Sequence, residues 1–411
     1  MPTANDDDAA VLPWSSSVTI NVLANDSDPL GSDLTIVELG DPLHGTVQLL
    51  AGDRVRYVAT GGFTGTDTFD YTIENDLGYR DSATVTVSVA GGLRDVPLLD
   101  PPGTIEIELA LPRVNRLRDS IGTTRTVLDE LRAHLEFRDG RLIDLTELAG
   151  APTIATDLND HPQVVGAVLG KDDRDAFIWD EAGGFRLLPN PFGGSTMAMG
   201  IDDSGRVVGS ARFEGFVPPQ AAVWDDGVLQ RLELDLSVDH ASIATGISDD
   251  GWIAGYYRDT RTVAVFPTQA FAYHDGEVIH LGTLGGAGSL ALDVGVGGRV
   301  IGEAQNDAGA WRAFLWFDDD MTDLGALGGA ESRALALNAH GQIVGEAMTA
   351  AGAMRGFVWQ DGTIVDVNDH LPPDSGLTVI AVTGINDSGH MIAVAVDGSG
   401  NQRAVLIIPE P

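Results

Sequence analysis

The chain alternates apolar and polar positions in short runs, and this period of two predicts β-strands with few helices. From about residue 133 onward the runs recur in sets of four. The clearest pair of sets spans 281–366, where LGTLGG recurs as LGALGG, RVIGEA as QIVGEA and AFLWFDDD as GFVWQDGT. Trp316 and Trp359 mark a repeat length of 43 residues. Repeats of this length with four strands each predict the blades of a β-propeller.

Each set holds an A-x-x-I-N-like run, a V-V-G-like run, an A-F-x-W-like run and a run after an Asp-Gly turn. The glycine of the second run is expected where backbones approach closely, and the aromatic ring of the third run is expected to stack on the next blade. Six copies of three of these runs predict six blades, closed by pairing 141–145 with the C-terminal strand near Val405. The alternative is a seventh blade, begun by strands within 104–110 and 133–137.

Residues 1–90 form a separate region of short alternating strands without repeats of that length. Gly, Asn and Asp turns separate runs such as VTINVL, TVQLL and DTFDYTI, which predicts a small antiparallel β-sandwich. A stretch rich in Gly and Pro follows and is expected to be a linker at 91–103, so that the propeller occupies 104–411. The predicted fold class is therefore all-β, with a sandwich joined to a propeller.

Composition narrows the possible partners. The net charge is −37, from 61 acidic and 24 basic residues. A surface of this charge repels nucleic acid and anionic lipid, so neither is expected as a partner. There is no apolar run of about 18 residues, so no membrane contact of this chain is expected. There are no cysteines, which excludes disulfides and thiolate metal sites.

The motifs of the first region resemble those of a known class of module. ANDDDA, VTINVLANDSDPLGSDLTIV, HGTVQL, YVATGGFTGTDTFDYTIENDLG and SATVTVSV, which together cover 4–89, are similar to the cadherin-like, Ig-like modules of bacterial adhesins. The resemblance implies a calcium site at one end of the sandwich, although Leu30 stands where a third loop acid is common. The alternative is that these side chains cap turns. The candidate calcium ligands are Asn5, Asp6, Asp7, Asn25, Asp26 and Asp28.

The repeats also resemble a known family. LGTLGG, INDSGH, GQIVGEA, RAFLW and WQDG, within 133–408, are similar to the HAF-type extracellular repeats, although the His of their His-Ala-Phe signature is absent here. This family is associated with secreted or surface proteins and has no agreed reaction. The final IPEP is similar to the start of a PEP-type sorting signal. The resemblance therefore implies an extracellular or cell-surface location.

The sequence has no H-E-x-x-H, G-x-S-x-G, Walker A or G-x-G-x-x-G motif. The expected function is therefore a non-enzymatic binding or adhesion protein at the cell surface. Its propeller recognises a glycan or protein partner, and its sandwich acts as a spacer or anchor. One alternative is a propeller glycosidase or lyase with paired carboxylates at the axis. The other is a structural module that self-associates into a filament or surface layer.

Overall fold

The computed structural model describes the chain except for residues 12–16, 30, 52, 61–62, 64, 90–92, 96–97, 100–103, 106–111, 126–130, 172, 217, 238, 261–267, 372–374 and 410–411. The described residues form an all-β protein, as predicted. It consists of an N-terminal sandwich and a ring of seven sheets. No helix in this part of the chain is long and apolar enough to cross a membrane.

The sandwich consists of two sheets that enclose one core. The strands are β1 (Asp7–Val11), β2 (Ser17–Ile20), β3 (Leu34–Leu39), β4 (Gly45–Leu50), β5 (Arg54–Ala59), β6 (Gly65–Asn75) and β7 (Arg80–Val89). One sheet has the order β1-β7-β6-β3 and the other β2-β5-β4. Tyr57 and Tyr71 are among the largest fully buried side chains, and Phe69 lies in the same core. The predicted strands are confirmed, and β1 is an addition that pairs parallel to β7.

The ring of sheets follows the sandwich, after two short strands, β8 (Leu93–Asp95) and β9 (Leu98–Leu99). Blade 1 has β10 (Thr104–Ile105), β11 (Arg113–Val114), β12 (Ser120–Arg125), β13 (Leu131–Glu136) and β14 (Leu142–Asp144); blade 2 has β15 (Thr153–Leu158), β16 (Val164–Leu169), β17 (Arg174–Asp180) and β18 (Gly184–Leu187); blade 3 has β19 (Thr196–Ile201), β20 (Val207–Ala211), β21 (Gln220–Asp225) and β22 (Val228–Arg231); blade 4 has β23 (His240–Ile247), β24 (Ile253–Asp259), β25 (Gln269–His274) and β26 (Glu277–Gly282).

The last three blades repeat the same order. Blade 5 has β27 (Gly285–Gly295), β28 (Arg299–Asn306), β29 (Trp311–Phe317) and β30 (Asp320–Asp323); blade 6 has β31 (Gly328–Leu337), β32 (Ile343–Thr349), β33 (Met354–Gln360) and β34 (Thr363–Asp366); blade 7 has β35 (Leu377–Ile385), β36 (Met391–Asp397) and β37 (Gln402–Pro409). Helix α1 (Leu145–Ala149) and two 3-10 turns (Val296–Gly298 and Val367–His370) are the helical elements in the described residues.

The blade count is seven rather than six, and the predicted closure is wrong. β14 pairs with β13 of its own blade, so 141–145 do not meet the C-terminal strand. Instead β37 pairs with β8 and β9, which complete blade 7 from inside the stretch expected to be a linker. Blade 1 begins with β10, which lies within the 104–110 stretch of the seven-blade alternative, and with β11, which follows that stretch. The two chain ends of the propeller therefore close one sheet together.

Two repeated sequence features fix the local geometry of each blade. A Cβ on Gly345 would lie 2.0 Å from the carbonyl oxygen of Arg333 on the neighbouring strand, and one on Gly166 would lie 2.0 Å from the oxygen of Ile154. This confirms the close approach expected at the second run. Asp361 and Gly362 both have positive φ (49° and 85°), which is the two-residue hairpin that the Asp-Gly steps predict.

The aromatic rings of the third run pack against the preceding blade, not the next one as expected. The Trp179 ring in blade 2 meets the edge of Phe137 in blade 1, with ring centroids 6.4 Å apart. Trp224 in blade 3 donates from Nε1 to the carbonyl oxygen of Pro189, which follows blade 2, at 2.9 Å. Blades 2 and 3 therefore depend on the blade before them for burial of these tryptophans.

Candidate functional site at the axial mouth

The inner strand of every blade ends at the same end of the propeller, and the turns that follow surround the axis. We call this end the axial mouth; its turns lie at 114–117, 158–160, 201–203, 247–250, 294–296, 337–340 and 385–388. Because all seven blades contribute to it, the mouth exists only in the closed ring.

Aspartates of these turns join neighbouring blades. In four turns the backbone N–H donates to a carboxylate of the following blade. The bonds run from Arg116 N to Asp160 Oδ1 (2.7 Å), Asp160 N to Asp203 Oδ1 (2.9 Å), Asp203 N to Asp249 Oδ1 (2.9 Å) and Ala339 N to Asp387 Oδ1 (2.8 Å). We call Asp160, Asp203, Asp249 and Asp387 the aspartate ring. Since Oδ1 of each aspartate accepts the bond between blades, Oδ2 is left to contact other groups at the mouth.

Asparagines at the equivalent turn position of four blades add a second set of bonds between blades. The side-chain Nδ2 donates to a backbone carbonyl of the following blade, from Asn115 to Asn159 (3.1 Å), Asn159 to Asp202 (3.0 Å), Asn338 to Asn386 (3.0 Å) and Asn386 to Asn115 (2.9 Å). The last of these bonds joins blade 7 to blade 1. The asparagine at this turn position therefore helps to close the ring.

Among the described residues that line the mouth, Arg116 is the arginine. Its guanidinium lies 2.7 Å from Asp387 Oδ2 and 3.6 Å from Asp160 Oδ2. Burial raises the pKa of Asp160 to about 6, and the N–H and the charge of Arg116 only partly oppose that rise. Burial likewise raises the pKa of Asp249. At Asp387, by contrast, and despite burial, the charge of Arg116 contributes to a pKa below the ordinary value.

A half-open cavity of about 670 Å³ lies between the sandwich and the mouth. The roof is formed by sandwich residues that include Asp6, Asp7, Asp8, Asn21 and Asn25. The floor carries an aliphatic side chain from each blade, namely Val114, Leu158, Ile201, Ile247, Val294, Leu337 and Ile385. A cavity of this size falls within the ~300–1,000 Å³ range of small-molecule sites.

A row of buried amides attaches the sandwich to blade 6. Asn338 Nδ2 donates to Gln342 Oε1 (2.6 Å), Gln342 Nε2 to Gln360 Oε1 (3.1 Å), and Gln360 Nε2 to the carbonyl oxygen of Ser17 (2.7 Å). Gln342 is fully buried, and Ala10 of β1 packs into the core beneath blades 6 and 7. Buried amides with partners hold a geometry firmly because breaking one leaves another unsatisfied.

His340 lies at the edge of the cavity under this attachment. Its residue is only 8% exposed, and neither ring nitrogen makes a hydrogen bond of normal geometry. Burial lowers the pKa of His340 below its ordinary value; the charge of Asp387 and the backbone oxygens of Asp8 and Asp387 oppose this only in part. The ring is therefore neutral near pH 7.

A second charged group lies beneath the cavity floor. Asp293 Oδ2 lies 3.4 Å from Arg113 Nη1, and Asp157 Oδ2 accepts from the N–H of Ile201 at 3.0 Å. Burial raises the pKa of Asp157 to about 7, with Arg113 opposing the rise, and burial also raises the pKa of Asp293. A Cβ on Gly246 would lie 3.0 Å from Asp293 Oδ1, so the axis is tightly filled here.

Three of the candidate calcium ligands come together in the sandwich. Asn5 donates from its side chain to the carbonyl oxygen of Asn25 (2.6 Å) and from its backbone to Asp26 Oδ1 (2.7 Å). The Tyr71 hydroxyl lies 3.0 Å from Asp26 Oδ2. These bonds use oxygens that a cation would also need.

Two of the other three candidates adjoin this group: Asn25 Nδ2 donates to the carbonyl oxygen of Asp6 (3.0 Å), and Asp7 shares the Tyr71 hydroxyl with Asp26. Asp6 Oδ1 accepts from the N–H of Thr84 (2.9 Å), and Asp28 Oδ2 accepts from Asn75 Nδ2 (2.8 Å). Asp7 begins β1, and burial raises its pKa to about 7. Among the described residues, no three His, Cys, Asp or Glu side chains form a group that could hold a metal ion. Calcium binding stays a prediction.

Sequence reasoning missed the aspartate ring, the buried histidine and the amide row. The aligned repeats contain the signal for the ring, because Asp160, Asp203, Asp249 and Asp387 all follow the last residue of the first run directly. Nothing in the repeats distinguishes Gln342 from Gln163, its equivalent in blade 2. Only the position of the sandwich does so.

Comparison with known proteins gives a family match for the N-terminal region. Residues 1–88 match the family model described as the bacterial Ig domain. That is the part of the chain that forms the sandwich, and it includes the roof of the cavity. No match was found among curated proteins.

Several solved structures are similar to the chain at low identity. TolB from Acinetobacter baumannii is 11% identical over 93% of this chain and 82% of its own, with a TM-score of 0.40. The β-propeller domain of the Trilobed protease from Pyrococcus furiosus is 12% identical over 83% and 99%, with a TM-score of 0.43. The Aleuria aurantia lectin in complex with Fucα1-6GlcNAc is 9% identical over 75% and 98%, with a TM-score of 0.34.

Proposed function

We propose that this protein is a secreted or cell-surface binding protein, without enzymatic activity, whose ligand site is the axial cavity. The observation that supports the proposal is that the turns of all seven blades and the Ig-like sandwich line one cavity together. The bacterial Ig domain suggests a surface or adhesion context. The partner is a glycan or a protein that presents a group small enough to enter beneath the sandwich.

The arrangement of carboxylates supports binding rather than catalysis. Each member of the aspartate ring accepts an N–H of the neighbouring blade, so its position is fixed by the architecture. A fixed, preorganised set of acceptors favours affinity, because little side-chain freedom is lost when a ligand binds. The acidic lining also disfavours nucleic acid and anionic glycans.

The test is a binding screen with the full chain. Labelled protein is applied to a glycan array and to bacterial surface preparations, with and without a chelator. We expect binding to one class of partner that Asp249→Arg, at the cavity, removes and that Glu277→Arg, on an exposed strand of blade 4, does not. Absence of binding in every condition would contradict the proposal.

A glycosidase or lyase is the second candidate, because of the charged group beneath the floor. Asp157 and Asp293 have raised pKa values and share Arg113, and perturbed carboxylates are common at active sites. Neither carboxylate lines the cavity, although Leu158 and Val294, the residues that follow them, do. Hydrolysis or elimination of a glycan that disappears in Asp157→Asn with its fold intact would favour the enzyme.

Self-association is the remaining alternative and is tested separately. Light scattering of the full chain, with calcium and with chelator, measures whether assemblies form. Calcium-dependent assembly that Asp26→Asn abolishes would support the structural module and the predicted calcium site together. A monomer of unchanged thermal stability in both conditions would oppose both.

A further inference from the structure

One sheet of the sandwich has a basic outer face, although the protein as a whole is acidic. In β5 the side chains of Val55 and Tyr57 point into the core, so Arg54 and Arg56 lie on the opposite face of the sheet. None of the three strands of this sheet, β2, β4 and β5, contains an acidic residue. The whole chain carries 61 acidic and 24 basic residues, so this face differs in sign from the general surface.

This basic face lies against blades 5 and 6. The Ser17 hydroxyl of β2 accepts from Arg56 Nη2 (3.1 Å) and donates to Asp361 Oδ2 in a hairpin of blade 6 (3.2 Å). The guanidinium carbon of Arg54 lies 5.7 Å from the centre of the Phe317 ring, at the end of β29 in blade 5. Both arginines are therefore held at the contact between the two domains.

Blade 5 adds a third guanidinium at the same place. The guanidinium carbon of Arg299 lies 4.4 Å from the centre of the same Phe317 ring. Burial, and next the charge of Arg54, lower the pKa of Arg299 to about 10, and the charge of Asp250 opposes this only in part. Two cations from different domains thus lie over one aromatic ring, which attracts each of them while they repel each other.

The donors of these guanidinium groups are mostly unfilled. A guanidinium has five N–H groups. Within the described residues, Arg54 makes no hydrogen bond or ion pair, and Arg299 donates only to the carbonyl oxygen of Val296 (3.2 Å). In the same part of the chain, Nε of Arg56 is buried without a hydrogen-bond partner. Buried donors and neighbouring cations both cost free energy until an acceptor with negative charge meets them.

The donor set favours a tetrahedral oxyanion. Guanidinium groups bind the oxygens of carboxylates and phosphates in pairs. The three arginines come from two domains, so the ligand needs acceptors in several directions; a sulfate or phosphate group has four oxygens, whereas a carboxylate has two. Neither Arg54 nor Arg299 lines the axial cavity, although Val296 does, so the site adjoins the acidic lining without belonging to it.

We propose that a sulfate or phosphate group binds at the contact between the sandwich and blade 5, held by Arg54 and Arg299 beside Phe317, with Arg56 as a further donor. The bound anion neutralises cations of both domains and links them. The inference goes beyond the proposed function, because it assigns a second site with the opposite charge preference. A free inorganic ion and an ester on a sugar offer the same chemistry, so the experiment includes both sources.

The experiment is calorimetric titration of the full chain with inorganic sulfate, and separately with glucose 6-sulfate, at a constant ionic strength of about 0.1 M set with sodium chloride, where the Debye length is about 10 Å. We expect one saturable site for inorganic sulfate. Tighter binding of glucose 6-sulfate through the same arginines would support the site and assign it to a sugar ester. Absence of a saturable site for both compounds would overturn the proposal.

Matched variants locate the site. Arg54→Gln with Arg299→Gln removes two charges and their forked donors, and we expect about tenfold or greater loss of affinity. Arg174→Gln with Arg355→Gln removes two charges from β17 and β33, at arginines that also make no ion pair in the described contacts, and should change affinity less than about twofold. Equal losses in the two pairs would show that general electrostatic attraction, and not this contact, binds the anion.

A charge-conserving pair tests the role of the guanidinium fork. Arg54→Lys with Arg299→Lys keeps both charges and should lose about threefold to tenfold, less than the glutamine pair. Thermal melts of every variant in chloride check the fold. If sulfate fails to bind while a surface partner is found, only this inference fails. If sulfate binds while no surface partner is found, the surface role fails and the anion site remains.

Discussion

Two turns at the same repeat position, 159–163 in blade 2 and 338–342 in blade 6, have the same local structure and different surroundings. In both, an asparagine side chain accepts from the N–H two and four residues later, from His161 and Gln163 in one and from His340 and Gln342 in the other. The asparagine Nδ2 donates to the glutamine at 2.7 and 2.6 Å, and to the next blade at 3.0 Å in both.

The sandwich makes the difference between the two turns. The side chain of His161 is 68% exposed, whereas His340 is buried. Gln163 stays half-buried at the mouth, whereas Gln342 is fully buried and bonds to Gln360. Identical local hydrogen bonds thus produce an open turn in one blade and part of an interdomain contact in another. The repeat sets the local hydrogen bonds of the turn, and the contact with the sandwich sets the burial and the partners of each side chain.

The largest expected effect tests whether the two blades share their internal structure. Gly166→Ala and Gly345→Ala should each destabilise the protein by about 3 kcal/mol or more, because the new Cβ meets a backbone carbonyl that cannot move freely. Thermal or denaturant unfolding of the full chain measures this. The two losses should be similar; a much smaller loss in one blade would show that its strand approach is not as close.

The second prediction separates the two glutamines. Gln342→Leu should cost about 2 kcal/mol, because it leaves the amide groups of Asn338 and Gln360 without their buried partner. Gln163→Leu should cost less, about 0.5–1 kcal/mol, since water can reach the amide of Asn159. The same unfolding experiment compares them. Equal costs would mean that the sandwich adds nothing at blade 6.

The third prediction concerns pH and the charged group at the axis. Burial raises the pKa of Asp157 to about 7, above its ordinary value of 3.8, so the folded protein binds a proton that the unfolded chain releases between these values. This group should therefore add stability as pH falls from about 7 to about 4. Melting temperatures at pH 5 and pH 8 should differ less in Asp157→Asn, with an effect on the order of 1 kcal/mol. If Asp157→Asn left the pH dependence of the melting temperature unchanged, Asp157 would not be the group responsible for it.

The smallest expected effect is a change in the pKa of one histidine, His340. Because burial lowers the pKa of His340, the unfolded chain takes up its proton first, and this residue subtracts stability as pH falls below about 6.5. In Gln342→Leu the sandwich contact loosens, and the pKa of His340 should move up toward its ordinary value. NMR titration of the ring measures this. A pKa unaffected by the substitution would show that the sandwich does not bury His340.

Much of the propeller was predictable because its signals are local. The glycine of each second run, the Asp-Gly turns and the alternation of the four runs are properties of a few adjacent residues, and the structure confirms them at Gly345 and at Asp361. The blade number was not predictable, because the strands that complete the ring are only two or three residues long, as in β9 and β11. Such strands carry no periodicity to detect.

The sequence by itself determined an all-β chain with a sandwich, then repeated four-stranded units whose glycines and turns fit one another only as blades. The tertiary structure decided that Asp160, Asp203, Asp249 and Asp387 form one ring and that His340 and Gln342 lie beneath the sandwich. The physical reason is the range over which the two kinds of information act. Strand alternation and turn geometry depend on neighbours in the chain, whereas burial and charge at the mouth depend on atoms brought together from Asp6 to Ser388, most of the length of the protein apart.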